Sequence, residues 1–255
     1  MPARLRSLPA NVTDTTLALW SSDEAADWQT QSVGPDLAGV RLERARPARE
    51  FVSWPGKRNY EGLWWSSTTR AHIGFESLLE RDALLWLDWD TDAVARISSQ
   101  PLAFLWPKGT PGHKSHVPDY FVRLADGDGK LVDVRSEAHQ SKKALAQFAL
   151  TREVCNLVGW QYEVWPALPA GMAESLRWLA GYRQDRCAPS PETHDRILAA
   201  FADGARLGDG VEQVVRFAAV PAEIVLANVY HLLWDRTLTV DLTRPLSMST
   251  KAVVS

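Results

Sequence analysis

The sequence predicts an α/β fold, a mixed sheet flanked by helices, followed by a smaller domain of helices and a hairpin. Three observations carry this expectation. Apolar residues recur at helical spacing over residues 75–89, through Phe75, Leu78, Leu79, Leu85, Trp86 and Trp89, and a second helical segment covers 145–158. Strand-like runs separate and follow these segments, at 94–106, 117–124, 130–135 and 161–165. Asp126-Gly127-Asp128-Gly129 joins two of those runs, and Asp-Gly pairs favour the left-handed backbone of tight hairpins.

Taken in order, residues 1–50 show no sustained period and read as an irregular arm with one helix near 22–29. Gly74 stands before the first long helix, whose apolar surface is widened by Leu84 and Leu87, so that it should pack on more than one side. The strand region 94–106 breaks at Gln100-Pro101, and the turn-rich loop PKGTPGHKS leads to the strand 117–124. Gly159 terminates the helix 145–158 ahead of the strand 161–165. The order helix, strand, hairpin, helix, strand puts helices on both faces of a mixed sheet. Pro189 and Pro191 mark a boundary. Segments 192–202, 211–218 and 221–234 then read as helices, and 237–242 with 246–254, interrupted by Thr243-Arg244-Pro245, as a two-stranded wing. Three short helices and a hairpin describe a winged-helix-like domain. The expected division is an N-terminal arm over 1–70, an α/β domain over 71–187 and the winged-helix-like domain over 188–255.

Composition narrows the function classes. Hydrophobic residues make up 45% and charged residues 23%, values of a folded globular chain rather than a disordered or fibrous one. No apolar run approaches the roughly 20 residues of a membrane span, and MPARLRSLPANVTD lacks the apolar stretch of a signal peptide, so a cytoplasmic protein with no membrane association is expected. Cys155 and Cys187 stand far apart with no neighbouring ligand pair, which reads as free thiols. His113 and His116 have ligand-like spacing, but they lie in PKGTPGHKS without a cysteine, and a solvated loop explains them better than zinc. Residues 41–58 carry six Lys/Arg against two Glu and form the best basic patch, whereas 188–255 carry six against eight Asp/Glu and do not favour a DNA grip.

The chemistry is concentrated around the hairpin. Residues two apart on a strand share a face, so Asp133 and Arg135 point the same way. A turn near Asp128 pairs Asp119 with a position between 135 and 137, bringing Asp119 close to both. Asp119 is flanked by Val117, Pro118, Tyr120, Phe121 and Val122, and like charges side by side in such surroundings need a proton or a cation. Magnesium takes carboxylate oxygens and keeps waters, leaving room for a phosphate and an attacking water. The competing reading is an ordinary Asp133–Arg135 ion pair with Asp119 capping a turn; these three residues alone leave both open.

Pro118-Asp119, a spacer, and Asp133-Val134-Arg135 resemble the PD-(D/E)xK nuclease signature with its last residue changed. The stretch GFESLLERDALLWLDWDTDAVARISSQP is similar to the TnsA-type endonuclease subunit of heteromeric transposases, and GKRNYEGLWWSSTTRAHIGFES and RWLAGYR also resemble members of that family. Aligning Leu87-Asp88-Trp89-Asp90 with the family's acidic-aromatic turn implies that Glu80 is the helix glutamate, with Glu76, one turn earlier, as the fallback for that role or a supporting residue, and Gln100 as a supporting residue. The resemblance covers about residues 51–187. It implies a restriction-endonuclease-like core and a magnesium-dependent site, manganese substituting, with Glu80, Asp119 and Asp133 as metal ligands and Arg135 beside them. It also implies that the protein cleaves the non-transferred strands of double-stranded DNA at transposon ends. Its partners there are a TnsB-like DDE transposase and a TnsC-like AAA+ ATPase. The alternatives are a catalytically weak or inactive nuclease-fold module of a transposition complex, and a restriction-type nuclease.

Arg135 departs from the family lysine. Arginine stays protonated and cannot serve as a base, though it can hold a phosphate or a water; Lys142 and Lys143 on the next helix offer a substitute amine. Lys57, Arg58, Trp64 and Trp65 offer a basic and aromatic surface for DNA, while Trp86, Trp89, Trp106, Trp160 and Trp165 fall inside elements and serve packing. The helix 221–234 carries Glu223 and His231 among apolar residues, so the C-terminal domain is expected to dock a protein partner rather than DNA, and the resemblance implies that this partner is the ATPase.

Overall fold

The computed structural model describes residues 5, 7–21, 27–49, 60–90, 93–110, 114–136, 141–217 and 220–255. The chain is a mixed α/β protein that divides into two compact units, Met1–Ala167 and Leu168–Ser255. Among the described residues no helix is long and apolar enough to cross a membrane.

In the first unit, the strands β1 (Leu17–Trp20), β2 (Gln29–Ser32), β3 (Gly62–Ser66) and β4 (Ala71–Phe75) precede the helix α1 (Leu78–Trp89). Then come β5 (Val94–Ser99), β6 (Leu102–Leu105), β7 (Ser115–His116), β8 (Tyr120–Leu124), β9 (Gly129–Val134), α2 (Lys142–Val158) and β10 (Gln161–Trp165). One sheet runs β10-β9-β8-β5, with β9 and β10 parallel and the other pairs antiparallel. Alternation along β8 and β9 gives this sheet two apolar faces. Tyr120, Val122, Val132 and Val134 pack with Ala83, Leu84 and Leu87 of α1, while Phe121 and Leu131 pack with Val154, Cys155 and Val158 of α2. Helices therefore cover both faces, as the element order predicted.

A second sheet, β2-β1-β6-β7, corrects the irregular arm expected over residues 1–50. Its β1 pairs antiparallel with both β2 and β6, and Ala18 and Leu19 are buried in it. An inner strand of four residues is too short to display a period, which is why the sequence hid it. Of the helix expected near 22–29, residues 22–26 lie outside the described residues and Gln29 belongs to β2. The break at Gln100-Pro101 is where the chain passes from one sheet to the other, with Gln100 in the left-handed region at φ 48°.

Capping sets the helix ends. α1 begins at Leu78, not beside Gly74, because Ser77 Oγ accepts the Glu80 N–H (3.2 Å); Gly74 and Phe75 stay in β4. α2 starts after Ser141 and stops at Gly159, whose φ of 87° suits a residue without a Cβ. Near the end of α1, the buried Asp88 holds the turn between β3 and β4. Its carboxylate accepts from Trp64 Nε1 (3.0 Å), Ser66 Oγ (2.7 Å) and the N–H groups of Ser67 (3.0 Å) and Thr68 (2.9 Å).

The second unit contains α3 (Ala170–Leu179), α4 (Pro191–Phe201), β11 (Ala205–Arg206), α5 (Leu207–Phe217), α6 (Ala222–Trp234), β12 (Leu238–Val240) and β13 (Lys251–Val254). The three expected helices occur as α4, α5 and α6. The wing gains a third strand, since β13 lies between β11 and β12. This unit begins ahead of the Pro189-Pro191 boundary because it includes α3, which Ser175 Oγ ties to the Arg244 carbonyl (3.1 Å) and in which Gly171 lies against the Thr243 backbone.

Asp88→Ala leaves several donors of the β3–β4 turn without an acceptor, and a loss of about 3 kcal/mol is expected in urea unfolding. A change below ~1 kcal/mol would show that the hairpin stands without it.

Candidate functional site

The register of β8 on β9 decides which side chains meet. Tyr120 pairs with Val132, Phe121 with Leu131 and Arg123 with Gly129; one step further sets Asp119 opposite Asp133. This corrects the pairing counted from a turn near Asp128. The hairpin closes one Asp-Gly earlier, with Gly127 at φ 96°, and Leu124 and Asp128 are joined across the tip by a 2.8 Å backbone hydrogen bond. The two aspartates are thus direct cross-strand neighbours on the α2 face.

Each has one oxygen engaged. Asp119 Oδ2 accepts the Val134 N–H (2.7 Å), and Asp133 Oδ2 accepts from His116 Nε2 (2.8 Å) and from the Tyr162 hydroxyl. The ion pair of Asp133 with Arg135 considered from the sequence does not form; Asp133 is 3% exposed and turned to His116 and Tyr162. Arg135 lies just beyond β9, where its N–H donates to the Trp165 carbonyl (2.9 Å) and its side chain is exposed. Asp119, Asp133, Arg135, His116, Arg49 and Gln147 are among the residues lining a cavity of about 340 Å³.

On the α1 side, Glu80 closes a variant of the capping box, reaching back past Ser77 to Glu76. Its Oε1 accepts from Ser77 Oγ (2.9 Å) and its Oε2 from the Glu76 N–H (2.7 Å). Glu76 accepts from Arg49 and from Gln100 Nε2 (3.0 Å). Gln100 then links the pieces, since its N–H donates to the Asp119 carbonyl (2.8 Å) and its carbonyl accepts the Ala48 N–H (2.7 Å). A left-handed non-glycine backbone costs of order 1 kcal/mol or more, and here it stands at the junction of the two sheets beside the acidic cluster.

The carboxylates act on one another. Burial pushes Asp119 well above its ordinary range, and the charges of Asp133 and Glu80 push the same way, against the Val134 N–H and Arg49. Glu80 is also raised, chiefly by burial and partly by Glu76, against its hydrogen bonds to the Glu76 N–H and Ser77. Burial and Asp133 raise Tyr162, and the buried Cys155 thiol is pushed up to about 12, leaving it protonated and unreactive.

No protein-family model and no curated protein matches this sequence.

Among the described residues no group of three or more His, Cys, Asp or Glu side chains stands ready to hold a metal ion. Both oxygens of Glu80 are taken by the helix cap. Asp119 and Asp133 fit a hard cation better, because the donors named above engage Oδ2 of each and leave Oδ1 with no protein donor among the described residues. Magnesium needs only one or two carboxylates beside water and substrate oxygens.

The other expected residues divide. Trp64 is held by Asp88, whereas Trp65 is 37% exposed and packs edge-on against His72. Lys142 and Lys143 are exposed on the first turn of α2 and do not line the cavity, while Ala144, Gln147 and Phe148 of that helix do. Lys57 and Arg58 lie outside the described residues, as does His113.

Four residues of the site were not singled out as site residues in the sequence. Arg49 was part of the basic run. By sequence His116 reads as a solvated loop residue, but pairing of β7 with β6 fixes it beside Asp133. Tyr162 lay in an expected strand. Gln147 carried a readable signal: it interrupts the buried stripe Ala144, Phe148, Thr151, Val154, Cys155, Val158 on α2.

Asp119 binds its proton more tightly in the folded chain than in the unfolded one. Folding therefore carries a penalty that is absent below the ordinary value of 3.8 and grows as pH rises toward the raised folded value. Asp119→Asn removes that charge and keeps an oxygen for the Val134 N–H. In metal-free buffer near neutral pH the variant is expected to melt ~4 °C above the wild type by calorimetry, with the gain vanishing as pH falls to about 4. Equal melting temperatures near neutrality would show that the carboxylate is already compensated.

Proposed function

We propose that the protein is a magnesium-dependent DNA endonuclease of the PD-(D/E)xK type, working as the TnsA-like subunit of a heteromeric transposase that cleaves the non-transferred strands at transposon ends. The observation that carries this reading is the direct opposition of Asp119 and Asp133 across the β8–β9 pair, with Arg135 lining the same cavity. Helices on both faces of a mixed sheet support the restriction-endonuclease-like core, and α4 to α6 with a three-stranded sheet support the winged-helix-like domain.

In this reading Asp119 and Asp133 would hold the magnesium, which would lower the pKa of a bound water and polarise the phosphate. His116 and Tyr162 fix Asp133 by hydrogen bonds to its Oδ2. Arg135 accepts no proton; its fixed charge faces the negative charge that develops on the phosphate oxygens. Glu80 acts on Asp119 through space from its cap position, raising that carboxyl's affinity for positive charge. The C-terminal unit is assigned to docking the TnsC-like ATPase, with the TnsB-like transposase cutting the other strands. A second reading, a non-cleaving module of such a complex, is favoured by Arg135 in the lysine position.

Purified protein supplied with its transposase and transposon-end DNA is expected to cleave in magnesium, and Asp119→Ala to lower the rate roughly 100-fold or more. Arg135→Lys should retain cleavage and Arg135→Ala should lose ~100-fold. Cleavage indifferent to Asp119→Ala would sink the catalytic assignment, and no cleavage by the wild type beside an active Arg135→Lys would establish the second reading.

A further inference from the structure

One buried donor in the cavity is left over after these roles are assigned. Gln147 is 6% exposed, lines the cavity with Asp119, Asp133 and Arg135, and its Nε2 has no hydrogen-bond partner among the described residues. A buried, unpaired amide donor costs about 1–3 kcal/mol, and an apolar residue in the same stripe of α2 would avoid that cost. The group is a donor, so whatever completes it is an acceptor. The neighbouring acceptors, Asp119 and Asp133, have Oδ2 turned to Val134, His116 and Tyr162. Two guanidiniums line the same cavity: Arg135, and Arg49, which is anchored to Glu76 yet has a side chain 46% exposed.

We infer that Gln147 Nε2, with Arg135 and Arg49, is the seat for a backbone phosphate of DNA, Gln147 donating to a non-bridging oxygen while the guanidiniums supply charge. This rests on the endonuclease reading and adds the residues that grip the substrate. A neutral amide gives direction without charge. The cations give salt-dependent attraction, since each phosphate neutralised releases counterions. Gln147 also comes from α2, the face of the sheet on which Asp119 and Asp133 stand, so a phosphate it holds is beside both carboxylates.

The test separates a substrate contact from a packing residue. Duplex DNA affinity is measured by fluorescence anisotropy across a salt series, in calcium, alongside thermal melting of each variant. Gln147→Leu removes an unsatisfied donor, so its melting temperature should equal or exceed that of the wild type while DNA binding weakens about tenfold. Gln147→Glu should weaken binding further by repelling the phosphate. Arg49→Gln should lower the slope of log K against log salt by about one, and Glu76→Gln, which frees Arg49, should leave it unchanged. Wild-type affinity in Gln147→Leu, or a Gln147→Leu variant that melts lower and binds normally, overturns the inference. Equal slopes for Arg49→Gln and the wild type remove Arg49 from the seat. Absence of duplex binding by the wild type would instead strike the endonuclease reading on which the inference stands.

Discussion

The register between β8 and β9 is the constraint on which the site depends. Side chains alternate across a strand, so a slip of one residue would send Asp133 to the α1 face and leave Asp119 without its counterpart. The hairpin tip fixes that register through Gly127, which takes the left-handed turn position, while the two apolar faces of the sheet hold it: Phe121 and Leu131 against α2, Tyr120 and Val132 against α1. Acid pairing is thus a by-product of core packing. The carboxylates cannot move apart without dislodging buried aromatic and aliphatic side chains.

What this packing imposes, the surroundings only partly relieve. Asp119 and Asp133 are offset by one backbone N–H, an imidazole and a phenol, with Arg49 more distant, and Asp119 remains raised well above its usual range. Gln100 adds a left-handed backbone and an unpaired Oε1, and Gln147 an unpaired Nε2, close to the same cluster. Raised carboxyl affinity, a left-handed backbone and unpaired amide atoms thus meet at this cluster. A meeting of such costs is expected where a protein trades stability for a ligand.

The helix α1 shows how similar side chains serve different ends. Asp88 is wholly committed to the β3–β4 turn through four hydrogen bonds, and Glu80 to its own helix cap, yet Glu80 still bears electrostatically on Asp119. A capping box satisfies helix N–H groups and places a negative charge near the positive end of the helix dipole. Because the Glu80 charge also raises Asp119, the cap sets both where α1 begins and part of the field the site feels.

The sequence by itself determined the α/β class, the helices on both faces, the break at Gln100-Pro101, the helices α4, α5 and α6 of the C-terminal unit, and Asp119, Asp133 and Arg135 as neighbours. These follow from local periodicity, turn chemistry and strand alternation, which act over a few residues and are written in consecutive positions. Only the tertiary structure decided that β1 is an inner strand, that Asp119 faces Asp133 itself, that His116 and Tyr162 hold Asp133, and that Glu80 is tied to its own cap. Only it left Gln147 Nε2 without a partner among the described residues. Those outcomes depend on contacts between segments distant in the chain, such as β7 beside β6, and on a two-residue difference in where a hairpin closes. Local signals tolerate that difference, whereas the packed sheet admits a single register.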